Sequence, residues 1–437
     1  MVVDIGAQVP DSVAERVCVV RVPSTRRALG ELASAFYGHP SRRLHMVGIT
    51  GTNGKTTVAY LLTRILNAVG EPCAMIGTLG PRRADGSYPL TTPFPVELQE
   101  LLRTFADRGR RSVVMEVSSH GLAQRRVAGI EFDTAVVTSL GRDHLDYHRT
   151  IRAYWASKTR LVKSLAGPRC KPGPVHAVLP LDGPGVAALA RHVRVPMLRF
   201  GLSPAADVRA QGIRGDVWGS RFYLVAGLTR APVSLSLPGA FNILNALAAA
   251  SAALAHGIPI PEIARALSSV EGVPGRSERI PFRHGPGFAV VDYAHNPDGL
   301  ERILSTARRA AEGRTLVSVF GGRGHRDPGK LPGMGETAAR FADQLILTTD
   351  SPLDENPRDL ARAITEGIPR SSPIQVSYVE DRAEAIARAI QLAKSDGVVV
   401  VTGRGHEAEQ WIGERVIERT DRSMVESALA ELVSPRS

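Results

Sequence analysis

The sequence predicts an α/β protein built around two parallel sheets, and three observations carry that reading. Short apolar runs recur along the chain and close on polar or glycine residues, as in "LHMVGIT", "RSVVMEVSS" and "FDTAVVTSL". Segments of helical periodicity separate them, as in "TVAYLLTRILNAVG", where a glycine stops the pattern. At 437 residues the chain exceeds one ordinary core, so two or three domains are expected. Alternating strands and helices form parallel sheets, which receive ligands at the carboxyl ends of their strands.

Taken in order, "LHMVGIT" (44–50) is a strand and the helix after it begins near Thr57. The next two strands deliver polar residues to the same sheet end. Residues 175–235 read differently: "SRFYLVAG" and "APVSLSLPG" are short strands between turns, expected as an antiparallel flap on the same domain. A helical pair follows, "NILNALAAASAALAHG" and "PEIARALSSV", and the turn-rich "GVPGRSERIP" marks a boundary. Beyond it "GFAVVDYAHNPDGLERILSTARRA", "TLVSVFGG", "DQLILTTD" and "GVVVVTGRGHE" alternate again, forming a second α/β unit. The expected division is 1–45, 46–275 and 276–437.

Apolar residues make up 43% and charged residues 22%, which suits a globular chain and argues against disorder. No apolar run reaches the ~18–20 residues of a membrane helix. The N-terminus lacks a basic start followed by an apolar core, and Cys18, Cys73 and Cys170 match no disulfide or metal framework. A reduced, cytoplasmic protein with no membrane partner is expected. The net charge of +11 raises nucleic-acid binding. Scattered arginines and 5% aromatics offer little surface for stacking bases, so no nucleic-acid partner is expected. The charge suits anionic small ligands.

The chemistry centres on "GITGTNGKTT" (48–57). The common phosphate-loop pattern would need glycine where Ile49 stands, so the loop is the shorter Gly51-Thr52-Asn53-Gly54-Lys55-Thr56, followed by Thr57. Its glycines turn backbone N–H groups toward phosphate, and the helix behind it offers its positive end. Lys55 would neutralise β- and γ-phosphates and Thr56 would reach Mg2+. Glu116 ends an apolar strand, where a carboxylate is awkward unless it faces a site. His144 follows the third strand in "GRDHLDYH", with Asp143, Asp146 and His148 as competing metal candidates.

Eight segments then occur in order: "GITGTNGKTT", "MEVSSHGLAQRRV", "SLGRDHLDYH", "AYWASKTRL", "GAFNILNALAA", "VPGR", "VVDYAHNPDGL" and "TGRGHE". With them the chain closely resembles the Mur ligases, especially the MurE type, from about residue 20 to the end. The resemblance implies a UDP-binding N-terminal domain, a central ATPase and a Rossmann-like C-terminal domain. It implies ATP and two Mg2+ as cofactors. The implied chemistry is phosphorylation of a carboxylate by ATP, followed by attack of an amino acid's amine on the acyl phosphate. Lys158 matches the family's carbamylated lysine, an added anion for the second Mg2+ beside Glu116 and His144. Asn242 and Asn245 match positions facing adenine, and Arg276 the arginine meeting the γ-phosphate. Asp292, Tyr293 and His295 match nucleotide contacts of the C-terminal domain. Thr91, Thr92, Ser118, Gln124 and Arg126 match the acceptor side, where Arg126 could clamp a carboxylate with two parallel hydrogen bonds. Arg326, Gly403, His406 and Glu407 match the positions around the incoming amino acid.

The chain departs from that pattern twice. About 47 residues precede the loop segment, where MurE enzymes carry a longer stretch holding most of the uridine site. A reduced N-terminal segment is expected, and a misplaced start would look the same. Enzymes adding diaminopimelate carry Asp-Asn-Pro-Arg, whose arginine grips the distal carboxylate; here Asp350-Ser351-Pro352-Leu353 stands instead. Leucine cannot bind a carboxylate, so an amino acid other than diaminopimelate is expected. The alternatives are a housekeeping MurE, a Mur-like module that binds ATP without ligating, and a nucleic-acid ATPase suggested by charge alone.

Overall fold

The computed structural model describes residues 1–81, 90–216 and 218–431. Two large sheets dominate it. The first has nine strands, in the order Thr229–Leu235, Gly219–Ala226, Val208–Asp216, Met197–Gly201, His176–Pro180, Thr134–Val137, His45–Thr50, Ser112–Glu116, Cys73–Ile76. Pairing is parallel from Cys73–Ile76 through Val208–Asp216 and antiparallel in the final hairpins. The expected flap is therefore no separate layer. Residues 176–201 continue the parallel sheet, and the meander behind them extends its edge.

Alternation explains how this sheet is buried on both faces. Along His45–Thr50, Val47 and Ile49 pack with Leu61, Leu62 and Ile65 of the helix Lys55–Ala68, while Met46 packs with Leu98 and Leu161 on the other side. Each fully buried large aliphatic side chain contributes about 1.5–3 kcal/mol. The alanine-rich helix Ala240–Ala255 fits closely against Lys55–Ala68 because Ala246, Ala249, Ala250 and Ala253 are all buried.

The second sheet has six strands, in the order Glu278–Pro281, Phe288–Asp292, Val398–Thr402, Leu316–Phe320, Gln344–Leu347, Gln375–Tyr378. Only its first strand is antiparallel. "VVVVT" is apolar without alternation because both of its faces are covered, Val398 and Val400 by one helix layer and Val399 and Val401 by the other. A small hairpin, Glu409–Ile412 with Arg415–Glu418, lies beyond it.

At the N-terminus Val2–Asp4 pairs with Val20–Val22 in a short parallel ladder. The helix Thr25–Phe36 is capped by Ser24 and rests on the segment around Ala128, with Ser34 Oγ donating to Gly129 O at 2.9 Å. No helix among the described residues is long and apolar enough to cross a membrane, and the three cysteines are free.

Candidate active site

The carboxyl ends of both sheets open onto one cleft of about 350 Å3. On the central side the strand His45–Thr50 runs into the phosphate loop. Gly54 caps the helix Lys55–Ala68 at φ +87°, and a side chain there would collide with the Asn245 amide. Only glycine meets both conditions. The neighbouring strand end grips the loop: Thr52 N donates to Ser139 O at 2.9 Å and Asn53 N to Ser139 Oγ at 3.0 Å. Lys55 folds back onto the loop, donating to Gly51 O at 2.8 Å and Thr52 O at 3.1 Å. Burial holds its ammonium below its ordinary pKa, opposed by Glu116 and Asp143.

Glu116 reaches the same place from the next strand. Its Oε2 accepts from Thr56 Oγ1 at 2.8 Å and its Oε1 from Thr78 N at 2.7 Å. Thr92 ties the strand end to Ser118, donating to Glu116 O at 3.0 Å and accepting from Ser118 N at 2.9 Å. Arg126 lines the cleft beside Thr91 and Ser118, over the Phe94 ring. Gln124 does not line it; its Oε1 accepts from Nε and Nη2 of Arg126 at 2.9 and 2.7 Å and so orients the guanidinium.

Lys158 projects from the helix Ile151–Ser164 and is 1% exposed. Its Nζ donates to Gly51 O at 2.8 Å and stands 4.4 Å from the Tyr154 ring centre. Burial, reinforced by the charge of Lys55, holds its pKa well below the usual lysine value. His144, at φ +53°, meets His120 edge to face with ring centres 4.8 Å apart. Burial lowers its pKa to about 4, against the pull of Asp143. Asp143 accepts from His144 N at 2.9 Å and Asn296 Nδ2 at 3.2 Å. Burial opposes its charge, but His295 and His144 prevail and hold its pKa low.

The opposite wall belongs to the C-terminal sheet. Arg276 leaves the boundary turn and donates from Nη2 to Thr56 Oγ1 at 3.0 Å. Tyr293, His295, Arg323, Arg326 and Lys330 also line the cleft, which is richer in cations than in carboxylates. Glu407 accepts from Arg323 Nη1 at 2.8 and 3.1 Å and from the Tyr293 hydroxyl at 3.1 Å. Its neighbour His406 is pulled down to about 3 by burial and by Arg276. Asp350 is buried beside Gly403, and its Oδ1 finds no partner among the described residues. Burial raises its pKa. Ser351 Oγ accepts from Trp411 N at 3.3 Å, which ties this loop to the hairpin.

Several expected nucleotide contacts sit outside the cleft's lining. Asn242 is buried and donates to Pro238 O at 2.9 Å and Ser277 Oγ at 3.3 Å. Asn245 donates to Asn242 Oδ1 at 3.2 Å, with its own oxygen against Gly54. Asp292 accepts from Ser277 N and Ala294 N at 2.7 and 2.8 Å, fixing the turn that presents Tyr293 and His295. The sequence reading missed Thr78, His120, Asn296, Arg323 and Lys330. Asn296 carried a signal, because "HNPDG" places it as N-cap of the helix Pro297–Ala311. Arg323 stands in "GGRGHR" beside the favoured Arg326, and its pairing with a glutamate 84 positions away is invisible in one dimension.

A phosphate-loop sequence on one sheet, faced across a basic cleft by a second α/β sheet, suits an ATP-dependent ligase, and the comparisons with known proteins give that class. Residues 49–253 match the model of the Mur ligase middle domain, and residues 275–405 that of the Mur ligase, glutamate ligase domain. The chain belongs to the Mur ligase family and is of the MurE type. It is 42% identical over 428 residues to the UDP-N-acetylmuramoyl-L-alanyl-D-glutamate–2,6-diaminopimelate ligase of Geobacillus kaustophilus, covering 96% of this chain and 86% of that one. The Geobacter metallireducens ligase of the same name is 41% identical over 443 residues, covering 97% and 86%. A solved structure of a ligase of this name superposes with a TM-score of 0.64 at 30% identity, over 96% of this chain and 85% of the other. The folylpolyglutamate synthase of Mycobacterium tuberculosis, complexed with ADP and AMPPCP, shares the fold alone: TM-score 0.68 at 22% identity, over 94% of this chain and 96% of that one.

Proposed function

We propose that this ligase transfers the γ-phosphoryl group of ATP to the carboxylate of a muramoyl-peptide-like acceptor. An α-amino acid's amine then attacks the acyl phosphate, forming an amide and releasing phosphate. The observation that supports this best is that Lys55, Thr56, Glu116, Lys158 and Arg276 meet in one cleft with Arg126 on one side and Arg323 on the other, Glu407 standing behind Arg323. Phosphoryl transfer to a carboxylate brings two anions together, so cations must screen them. Lys55 and Arg276 would do so. The acyl phosphate hydrolyses readily, and a cleft between two sheets serves to exclude water. We take the working division as 1–45, 46–275 and 276–437, with the cleft at the junction of the latter two.

The residues present suit Mg2+. Thr56 Oγ1 and Glu116 Oε2 are already 2.8 Å apart, and Mg2+ takes few protein ligands beside phosphate and water. Among the described residues no three His, Cys, Asp or Glu groups gather as a metal cage. Thr56, Glu116 and His144 would hold the ions, helped by Lys158 once carbamylated. When bound, Mg2+ would neutralise the charge developing on the transferred phosphoryl group. Carbamylation joins the neutral Lys158 amine to CO2 with loss of a proton, and burial beside Lys55 favours the neutral amine this requires.

Gln124 orients Arg126 toward the acceptor's carboxylate, with Thr91, Thr92 and Ser118 beside it. Asn242 and Asn245 shape the adenine side, and Asp292, Tyr293 and His295 the C-terminal nucleotide wall. Arg326, Asp350, Ser351, Gly403, His406 and Glu407 form the amino-acid side. We propose that the amino acid is not diaminopimelate. Leu353 stands at φ +59°, 37% exposed, and offers no charge to a distal carboxylate. A second reading, a wall-precursor ligase that does use diaminopimelate, is favoured by the names of the relatives at 41–42% identity. Phosphate release across the amino acids, with UDP-linked and free peptide acceptors in parallel, separates the two. Release that requires both an acceptor and an amino acid supports ligation. Release that ignores either one contradicts it.

A further inference from the structure

One aromatic side chain joins the two ends of the cleft. Arg276 donates to Thr56 Oγ1 at 3.0 Å while its guanidinium lies 4.3 Å over the face of Tyr293. At the far end of that ring, the Tyr293 hydroxyl donates to Glu407 Oε1 at 3.1 Å, and Arg323 holds the same carboxylate. Tyr293 thus meets the phosphate side with its face and the amino-acid side with its edge. The backbone repeats the connection. Gly275 sits at φ +62° in the turn carrying Arg276, and a side chain there would strike the backbone of Gly405 and His406, in the loop carrying Glu407. Arg276 also keeps an unused donor, since its Nε is buried without a partner among the described residues.

We propose that Tyr293 is a positioning residue that couples nucleotide occupancy to capture of the amino acid. A phosphate that fixes Arg276 also fixes the ring beneath it, and the hydroxyl then holds Glu407 in one orientation. The coupling rests on the functional reading above, in which Thr56 and Arg276 meet the phosphates and Glu407 meets the amino acid. By linkage, whatever the nucleotide contributes to ordering the Glu407 loop, the amino acid returns to nucleotide affinity.

The test is amide hydrogen exchange with saturating AMPPCP and Mg2+, read separately at the phosphate loop (51–57) and the Glu407 loop (403–408). In the unaltered protein AMPPCP should slow exchange in both, by about tenfold or more at the second. Tyr293→Phe keeps the ring under Arg276 and removes the hydroxyl. It should keep protection of the phosphate loop and lose that of the Glu407 loop. Glu407→Ala removes the acceptor and should show the same split. Protection of both loops in either variant overturns the proposal. Absence of phosphate-loop protection in the unaltered protein overturns the nucleotide reading itself, a result distinct from loss of coupling.

Discussion

The Nζ atoms of Lys55 and Lys158 converge on one carbonyl oxygen, that of Gly51, each at 2.8 Å. Two ammonium groups sharing one buried acceptor repel each other, and the pair is relieved if Lys158 gives up its proton. Lys158→Ala should therefore abolish ligation while sparing the fold, and short-chain carboxylates should restore part of the activity by standing in for a carbamate. Undiminished turnover in the Ala variant removes Lys158 from the chemistry.

Arg276 spans the gap between the boundary turn and Thr56. Arg276→Ala should lower kcat by about 10²–10³, the usual effect of deleting a donor aimed at developing charge. Arg276→Lys should recover only part of this, because a point charge cannot bridge as a guanidinium fork does. Steady-state kinetics at saturating ATP decide between this and an effect on KM alone.

Gly54 is the loop position least able to carry a side chain. Gly54→Ala meets both the positive φ and the Asn245 amide, so a loss of about 1–3 kcal/mol is expected together with loss of nucleotide binding. Denaturant unfolding and nucleotide titration read the two effects separately.

Acid should destabilise the fold through histidines buried neutral. His45, packed on His256 with ring centres 4.1 Å apart, is lowered by burial to about 4, as are His144 and His148. A depressed pKa means the unfolded chain binds the proton first. Their contribution is complete above about pH 6.5 and is lost as pH falls toward 4. Melting temperature should drop across that window, and His45→Phe should flatten the drop. An unchanged slope in that variant would clear His45 of the effect.

Diaminopimelate should be a poor substrate, because a carboxylate left without its partner costs ~2–5 kcal/mol. The preferred amino acid should outpace it by more than about thirtyfold in kcat/KM. Leu353→Arg should narrow that gap. Comparable rates for both in the unaltered enzyme would favour the wall-precursor reading.

What could be read from the chain and what could not divide along physical lines. The phosphate loop was legible because its glycines, lysine and threonine are contiguous and an apolar strand leads into them. Glu116 stood out as a carboxylate at the end of "VVME", and it does meet Thr56. The strand Cys73–Ile76 and the two strands within 176–201 escaped notice because "CAMI", "HAVLP" and "MLRFG" carry at most one β-branched residue each, where "SVVME" and "TAVV" carry two or more. The Tyr293–Glu407–Arg323 group stayed hidden for another reason. Glu407 lies 114 positions from Tyr293 and 84 from Arg323, and no local pattern announces such pairing. Asn242 shows the converse, a motif position whose amide holds the backbone of Pro238.

The most direct measurement follows oxygen. With the acceptor's carboxylate labelled with 18O, one labelled atom should appear in the inorganic phosphate for each amide formed, because that carboxylate oxygen leaves with the phosphoryl group. Product accumulating while the phosphate stays unlabelled would contradict activation through an acyl phosphate.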